Sequence, residues 1–259
     1  LQPALLGPEP EPMVRGSFIH DLLERLLSRL GHAVTPESLP EAERILGELL
    51  EAEDSPLAPG RPASVRAAAL RSVTADMRRY LLHEAATGCD WDPEALELRF
   101  GFEEESRPAL ELSEGVRVRG MIDRLDVDGG GGAIVRDYKS GGTRAEYSGA
   151  RWSADRQLQV ALYMIAVREL LALEPVAGFY QPLGGDDLRA RGVFLNGALV
   201  GSGVVGTDGR SQDELDEALD DARSRAVALA GRLRSGELTP CPDTCSRDGC
   251  AYPGICRST

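Results

Sequence analysis

Four consecutive glycines, Gly129 to Gly132, separate two strand-like runs at residues 116–127 and 133–138. Glycine reverses a chain at little steric cost, and strands joined by so short a turn run antiparallel. The hairpin therefore sets three charged residues close together. Asp123 lies on the first arm, in Gly120-Met121-Ile122-Asp123-Arg124, and Asp137 and Lys139 end the second, in Val135-Arg136-Asp137-Tyr138-Lys139. Residues two apart on a strand share a face, so Asp137 and Lys139 project together and Tyr138 projects away.

Lys139 is the only lysine in the chain; every other basic residue among the 29 is arginine. A position that keeps lysine calls for a compact ammonium rather than a planar guanidinium fork. Two carboxylates can hold a hard divalent cation such as Mg²⁺ or Mn²⁺, which polarises a phosphate and acidifies water. The ammonium can orient the nucleophile or stabilise charge on phosphorus. An Asp-x-Lys pattern is short, and a solvated hairpin with Asp137 and Lys139 as a surface pair, and Asp123 beside Arg119 or Arg124, also accounts for it. The solitary lysine and the residues described next favour the site.

Helical periodicity in Phe18, Ile19, Leu22, Leu23, Leu26, Leu27 and Leu30 predicts a first helix that stops at Gly31. Further helices are expected at about 40–52, 63–86, 154–173 and 212–233. Strands are expected at 96–102, 108–112, 116–127, 133–138, 176–182 and 191–195. This order predicts an α/β fold: one mixed central β-sheet flanked by helices, with a helical N-terminal part and a cysteine-rich C-terminal tail. We expect a single domain with a helical part at 13–90, a core at 91–235 and the tail at 236–259. The start, Leu1-Gln2-Pro3-Ala4, lacks an initiator methionine and a signal core, so the chain is expected to be part of a longer polypeptide.

The net charge of −13 argues against a general nucleic-acid coat but leaves room for a local basic patch. Arg136, Lys139, Arg144, Arg151, Arg156 and Arg168 outnumber Asp137, Glu146 and Asp155 near the hairpin, although any one of these arginines is as readily a solvated surface residue. No apolar run approaches the ~20 residues that cross a bilayer, so no membrane partner is expected.

His20 sits beside the apolar stripe of the first helix, in Gly16-Ser17-Phe18-Ile19-His20, with Glu24 one turn on. A lone histidine there is often a boundary residue; a neutral imidazole can also ligate a metal, with Glu24 orienting the ring. Gln159 and Tyr163 share a helix face at i, i+4.

In order and spacing, Gly-x-x-x-His20, Gly-x-x-Asp123-Arg, Asp137-Tyr-Lys139 and Gln159-x-x-x-Tyr163 resemble the PD-(D/E)XK nuclease superfamily, most of all RecB- and AddB-like nuclease domains. The likeness runs from about residue 13 to the C-terminus. It implies His20, Asp123, Asp137 and the Tyr138 carbonyl as metal ligands, Lys139 as the catalytic lysine, and Gln159 and Tyr163 as residues positioning it and the DNA. It further implies a Mg²⁺- or Mn²⁺-dependent deoxyribonuclease of helicase-coupled DNA repair, acting on DNA that is single-stranded or being unwound, beside a helicase domain or subunit. The alternatives are a nuclease-like fold that grips DNA without cutting it, or a relative acting on RNA or in defence.

Cys241, Cys245, Cys250 and Cys256 crowd the tail; an odd count of five cysteines with a terminal cluster does not suit a secreted disulfide framework, and the paired C-x2-C knuckles of a zinc ribbon are missing. Four thiolates in a Gly/Pro-rich tail fit a metal centre in a reducing, cytoplasmic compartment. The resemblance implies a [4Fe-4S] cluster, with Zn²⁺ as the alternative. Cys245, Cys250 and Cys256 look like the family's downstream ligands, and the fourth is Cys241 or a cysteine upstream of Leu1. Cys89 is isolated and expected to be structural.

Overall fold

The computed structural model describes residues 12–51, 57, 60–89, 91–103, 107–154 and 156–237. The cysteine quartet of the tail lies outside the described residues. The chain opens with three helices, α1 (Pro12–Leu30), α2 (Leu39–Glu51) and α3 (Ala63–Thr87). The periodic residues of α1 are all buried, each worth about 1.5–3 kcal/mol as removed apolar surface. They pack with Ile45, Leu46, Val73, Met77 and Tyr80 of α2 and α3. Gly31 takes φ +74 and donates its N–H to the Leu27 carbonyl at 2.9 Å, which ends α1 where the sequence predicts.

Strands β1 (Asp92–Phe100), β2 (Leu110–Ser113), β3 (Val116–Val118), β4 (Gly120–Val127) and β5 (Gly132–Lys139) follow. Helix α4 (Gln159–Leu171) then leads to β6 (Glu174–Pro182), β7 (Arg191–Leu195), β8 (Gly209–Arg210) and α5 (Gln212–Arg234). Six strands form the central sheet in the order β1-β4-β5-β6-β7-β8, while β2 and β3 pair separately. The sheet is mixed: β5–β6 and β7–β8 are parallel, and the other neighbours antiparallel. A parallel pair needs a crossover, and α4 supplies it between β5 and β6. Helices cover both faces, α1–α3 on one and α4 with α5 on the other, so the α/β expectation holds.

Three local expectations change. The run at 116–127 is two strands, because β3 turns back onto β2 while β4 enters the central sheet. The fourth helix starts at Gln159 rather than near 154; Arg156 takes φ +58, a left-handed value that a continuing helix excludes. The two-residue strand β8 is too short to register as a sequence pattern.

The hairpin of β4 and β5 is antiparallel, with Arg124 opposite Arg136 and Val127 opposite Ala133. Beneath it lies a buried ionic cluster. Arg124 donates to Glu84 of α3 at 3.0 Å and to Asp126, and Arg136 donates to Asp126 at 2.7 Å and to Gln181 at 3.4 Å. Burial opposes the Glu84 charge, but the Arg136 and Arg124 guanidiniums outweigh it and hold its carboxyl below the usual range. Buried Cys89 places its sulfur 3.7 Å from Arg136, in keeping with a structural role. The expected basic patch is thereby thinned. Arg136 serves this cluster, Arg144 pairs with Glu146, and Arg168 pairs with Glu174 and Asp216.

Candidate active site

Three adjacent strands and one helix bring the acidic residues together. Leu96 faces Arg124 and Leu98 faces Ile122 across β1 and β4, which sets Glu97 opposite Asp123. His20 of α1 leans over this pair. Its Nδ1 lies 3.7 Å from Asp123 Oδ1 and 3.9 Å from Glu97 Oε1, and its Nε2 lies 3.1 Å from the Tyr138 carbonyl. With the proton on Nε2 and donated to that carbonyl, the Nδ1 lone pair faces the two carboxylates. The ring's hydrogen bond thus goes to Tyr138 rather than to Glu24, whose negative charge is instead felt at Glu97.

Asp123 is tied to the next strand: its Oδ2 accepts the Tyr138 N–H at 2.7 Å. The Tyr138 ring points the other way, buried edge-on against Tyr80 at 5.9 Å. Asp137 is buried beside Asp123 and paired with Lys139. The Lys139 ammonium also donates to Gln159 Oε1 at 3.2 Å and sits 5.3 Å from the centre of the Tyr180 ring. Gln159 Nε2 in turn donates to the Tyr163 hydroxyl at 3.2 Å. Tyr163 stands perpendicular to Phe100 at 6.2 Å. The close fit depends on Gly120, where a Cβ would come within 2.8 Å of both rings.

The electrostatics mark this cluster as short of positive charge. Burial, and then the neighbouring Asp123, push Glu97 up to about 7. Burial and the Asp137 charge likewise raise Asp123 to about 7, against the Tyr138 N–H and Lys139. Burial raises Asp137 as well, opposed by Lys139. Three close carboxylates facing one lysine leave negative charge that a cation can neutralise. Ligand atoms of His20, Glu97 and Asp123 all lie within 4.8 Å of one another, and an imidazole nitrogen with two carboxylate oxygens is a donor set that can hold a divalent metal ion.

Of the residues singled out from the sequence, His20, Asp123, Asp137, Tyr138, Lys139, Gln159 and Tyr163 thus form one contiguous constellation. Sequence reasoning missed Glu97. The signal open to it was a carboxylate between Leu96 and Leu98 on a strand whose other neighbours alternate around an apolar core. Its backbone is unusual too, with φ +47, a strained value for a non-glycine residue that recurs at functional sites.

A family model described as the PD-(D/E)XK nuclease superfamily matches residues 2–257, and the chain belongs to that superfamily. Its members are generally nucleases that use divalent metals. No curated protein registers as a match to the chain.

Proposed function

We propose, from membership of the PD-(D/E)XK superfamily, that this chain is a divalent-metal-dependent deoxyribonuclease whose hydrolytic centre is the cluster around Asp123, Asp137 and Lys139. The observation that carries the reading is the convergence of the His20, Glu97 and Asp123 donor atoms beside an ammonium held by Asp137 and Gln159. His20, Glu97 and Asp123, with Asp137 beside them and the Tyr138 carbonyl within reach of the same histidine, would hold a Mg²⁺ or Mn²⁺ ion, which would supply Lewis-acid charge against the phosphate.

The chain's own residues do the rest. Asp137 and Gln159 fix the Lys139 ammonium, and Tyr163 braces Gln159 in the first turn of α4. Lys139 then donates a hydrogen bond to a non-bridging phosphate oxygen or the incoming water as the water oxygen bonds to phosphorus and the P–O bond to the leaving nucleotide breaks; the water gives up a proton to solvent and the leaving oxygen takes one from it. Its single positive charge offsets the negative charge that grows on the phosphoryl oxygens. Gln159 and Tyr163 act through Lys139 and are positioning residues.

The order of the His20, Asp123, Asp137–Lys139 and Gln159–Tyr163 motifs supports a RecB/AddB-like subgroup, and with it DNA repair, a helicase partner and DNA that is single-stranded or being unwound. We further propose that Cys241, Cys245, Cys250 and Cys256, or three of them with an upstream cysteine, hold a [4Fe-4S] cluster; iron and sulfide analysis of anaerobically purified protein tests this, and stoichiometric zinc in their place contradicts it. The function itself is tested by incubating the chain with end-labelled single-stranded DNA, duplex DNA and RNA in Mg²⁺, Mn²⁺ or EDTA. Metal-dependent DNA cleavage is the expected result. Intact DNA under every metal condition contradicts it.

A further inference from the structure

The Lys139 ammonium has two polar neighbours, Asp137 and Gln159, and a third neighbour that is an aromatic face. Tyr180 of β6 stands opposite Asp137 in the parallel β5–β6 register, so its side chain projects from the same face of the sheet as Asp137 and Lys139. The ring is buried, and its centre lies 5.3 Å from Lys139 Nζ, inside the roughly 6 Å over which a ring face attracts a cation.

The same residue reaches the helix that carries Gln159. Helix α4 begins after Leu158, which supplies no side-chain cap, and the first N–H groups of a helix have no partner within it. The Val160 N–H donates to the Tyr180 hydroxyl at 3.4 Å, so β6 provides what the missing cap does not. The segment between Lys139 and Gln159 closes on this ring as well. Tyr147 stacks on it, with 4.7 Å between centres and 26° between planes, and Trp152 meets it edge-on at 6.4 Å.

We propose that Tyr180 is a positioning residue of the hydrolytic centre: its ring face seats the Lys139 ammonium while its hydroxyl ties the first turn of α4, which carries Gln159, to the same strand. This rests on the reading of the cluster as a nuclease centre. A lysine stem is flexible, and its ammonium is a compact charge with three donors. Pairing with Asp137 and the hydrogen bond to Gln159 engage two of them. A polar third neighbour would compete for the last. The ring attracts the charge through its quadrupole, without a lone pair in the plane of the hydrogen bonds, and so leaves one donor for a phosphate oxygen or the water. Burial holds the Tyr180 phenol above its ordinary pKa and therefore neutral, so this wall adds no charge beside the three carboxylates.

The test uses the solitary lysine. In the 259-residue chain, ¹³C placed only at lysine Cε gives one side-chain NMR signal, read in EDTA without substrate. Protons above a ring are shifted upfield. That shift is expected in the wild type and in Tyr180→Phe, and its loss is expected in Tyr180→Leu. Tyr180→Phe keeps the ring, and Ser148 still ties the connecting segment to Asp208 at 2.7 Å, so this variant is expected to fold. In single-turnover cleavage with Mn²⁺, Tyr180→Leu should lower the rate at least about tenfold at unchanged DNA affinity, and Tyr180→Phe should stay within about threefold of wild type. In a Lys139→Ala background, Tyr180→Leu should change the residual rate less than about twofold, because no ammonium is left to seat. An unshifted lysine signal in the wild type overturns the proposal whether or not any variant folds. Equal losses in the Phe and Leu variants, or a full Tyr180→Leu loss without Lys139, overturn it too and leave Tyr180 a core residue. An upfield signal that Tyr180→Leu abolishes, in a chain that cleaves nothing, upholds the seat and sinks the hydrolytic reading instead.

Discussion

The Asp123 carboxylate bridges two elements: one oxygen accepts the Tyr138 N–H at 2.7 Å, and the other faces His20 Nδ1 at 3.7 Å. The residue that joins β4 to β5 is therefore also the one that meets α1. Its charge is costly where it stands, since burial and Asp137 both raise its pKa. Asp123→Asn keeps the acceptor for Tyr138 and removes the charge. In EDTA at pH 8 the variant should melt above the wild type, while cleavage in Mn²⁺ falls at least about a hundredfold. A lower melting temperature would show that the Asp123 charge stabilises the metal-free fold.

Glu97 and Asp123 give the metal-free chain an inverted pH dependence. Both titrate near 7 when folded, against ordinary values of 4.5 and 3.8. Between those limits the folded state binds more protons than the unfolded one, so their contribution is present at low pH and is lost as pH rises through about 7. Denaturation in EDTA should give lower stability at pH 8 than at pH 5.5, and the Glu97→Gln/Asp123→Asn double variant should flatten that slope. Glu84, held below the usual range, works in the opposite sense and only at more acid pH. Mn²⁺ affinity should climb across the same window with release of protons, read by calorimetry in buffers of different ionisation enthalpy.

Glu97 also separates a ligand from a strand-surface carboxylate. Glu97→Gln should weaken Mn²⁺ binding by at least about tenfold while the fold is retained. Unchanged affinity would confine the centre to the residues on the hairpin and α1.

Glu84 holds the floor of the hairpin. Glu84→Ala leaves the fully buried Arg124 guanidinium without one of its two carboxylate partners. Removing one partner of a buried pair costs about 3–5 kcal/mol, to be read from the denaturant midpoint. A loss below about 1 kcal/mol would mean that Asp126 alone satisfies Arg124.

Much of this site was legible in the chain. The glycine turn gave the antiparallel hairpin, the solitary lysine marked Lys139, and the spacing of Gln159 and Tyr163 became a hydrogen bond. The α1 periodicity put His20 at the edge of the apolar stripe. Glu97 was not legible, because its proximity to Asp123 follows from the β1–β4 register, a long-range property that periodicity along one strand cannot carry. The split of the run at 116–127 was hidden for a related reason: Val118, Arg119 and Gly120 read as continuous strand, and only their different partners separate β3 from β4. The fate of Arg136 was hidden as well, since a basic residue reads as surface until Asp126 and Glu84 are seen beneath the sheet.

The most direct test of the central claim is the single-turnover rate of single-stranded DNA cleavage by Lys139→Ala in Mn²⁺, measured beside its Mn²⁺ affinity and melting temperature. The expected result is a rate at least about a hundredfold below wild type, with fold and Mn²⁺ binding preserved. Cleavage at the wild-type rate would contradict the assignment of the centre to Asp123, Asp137 and Lys139.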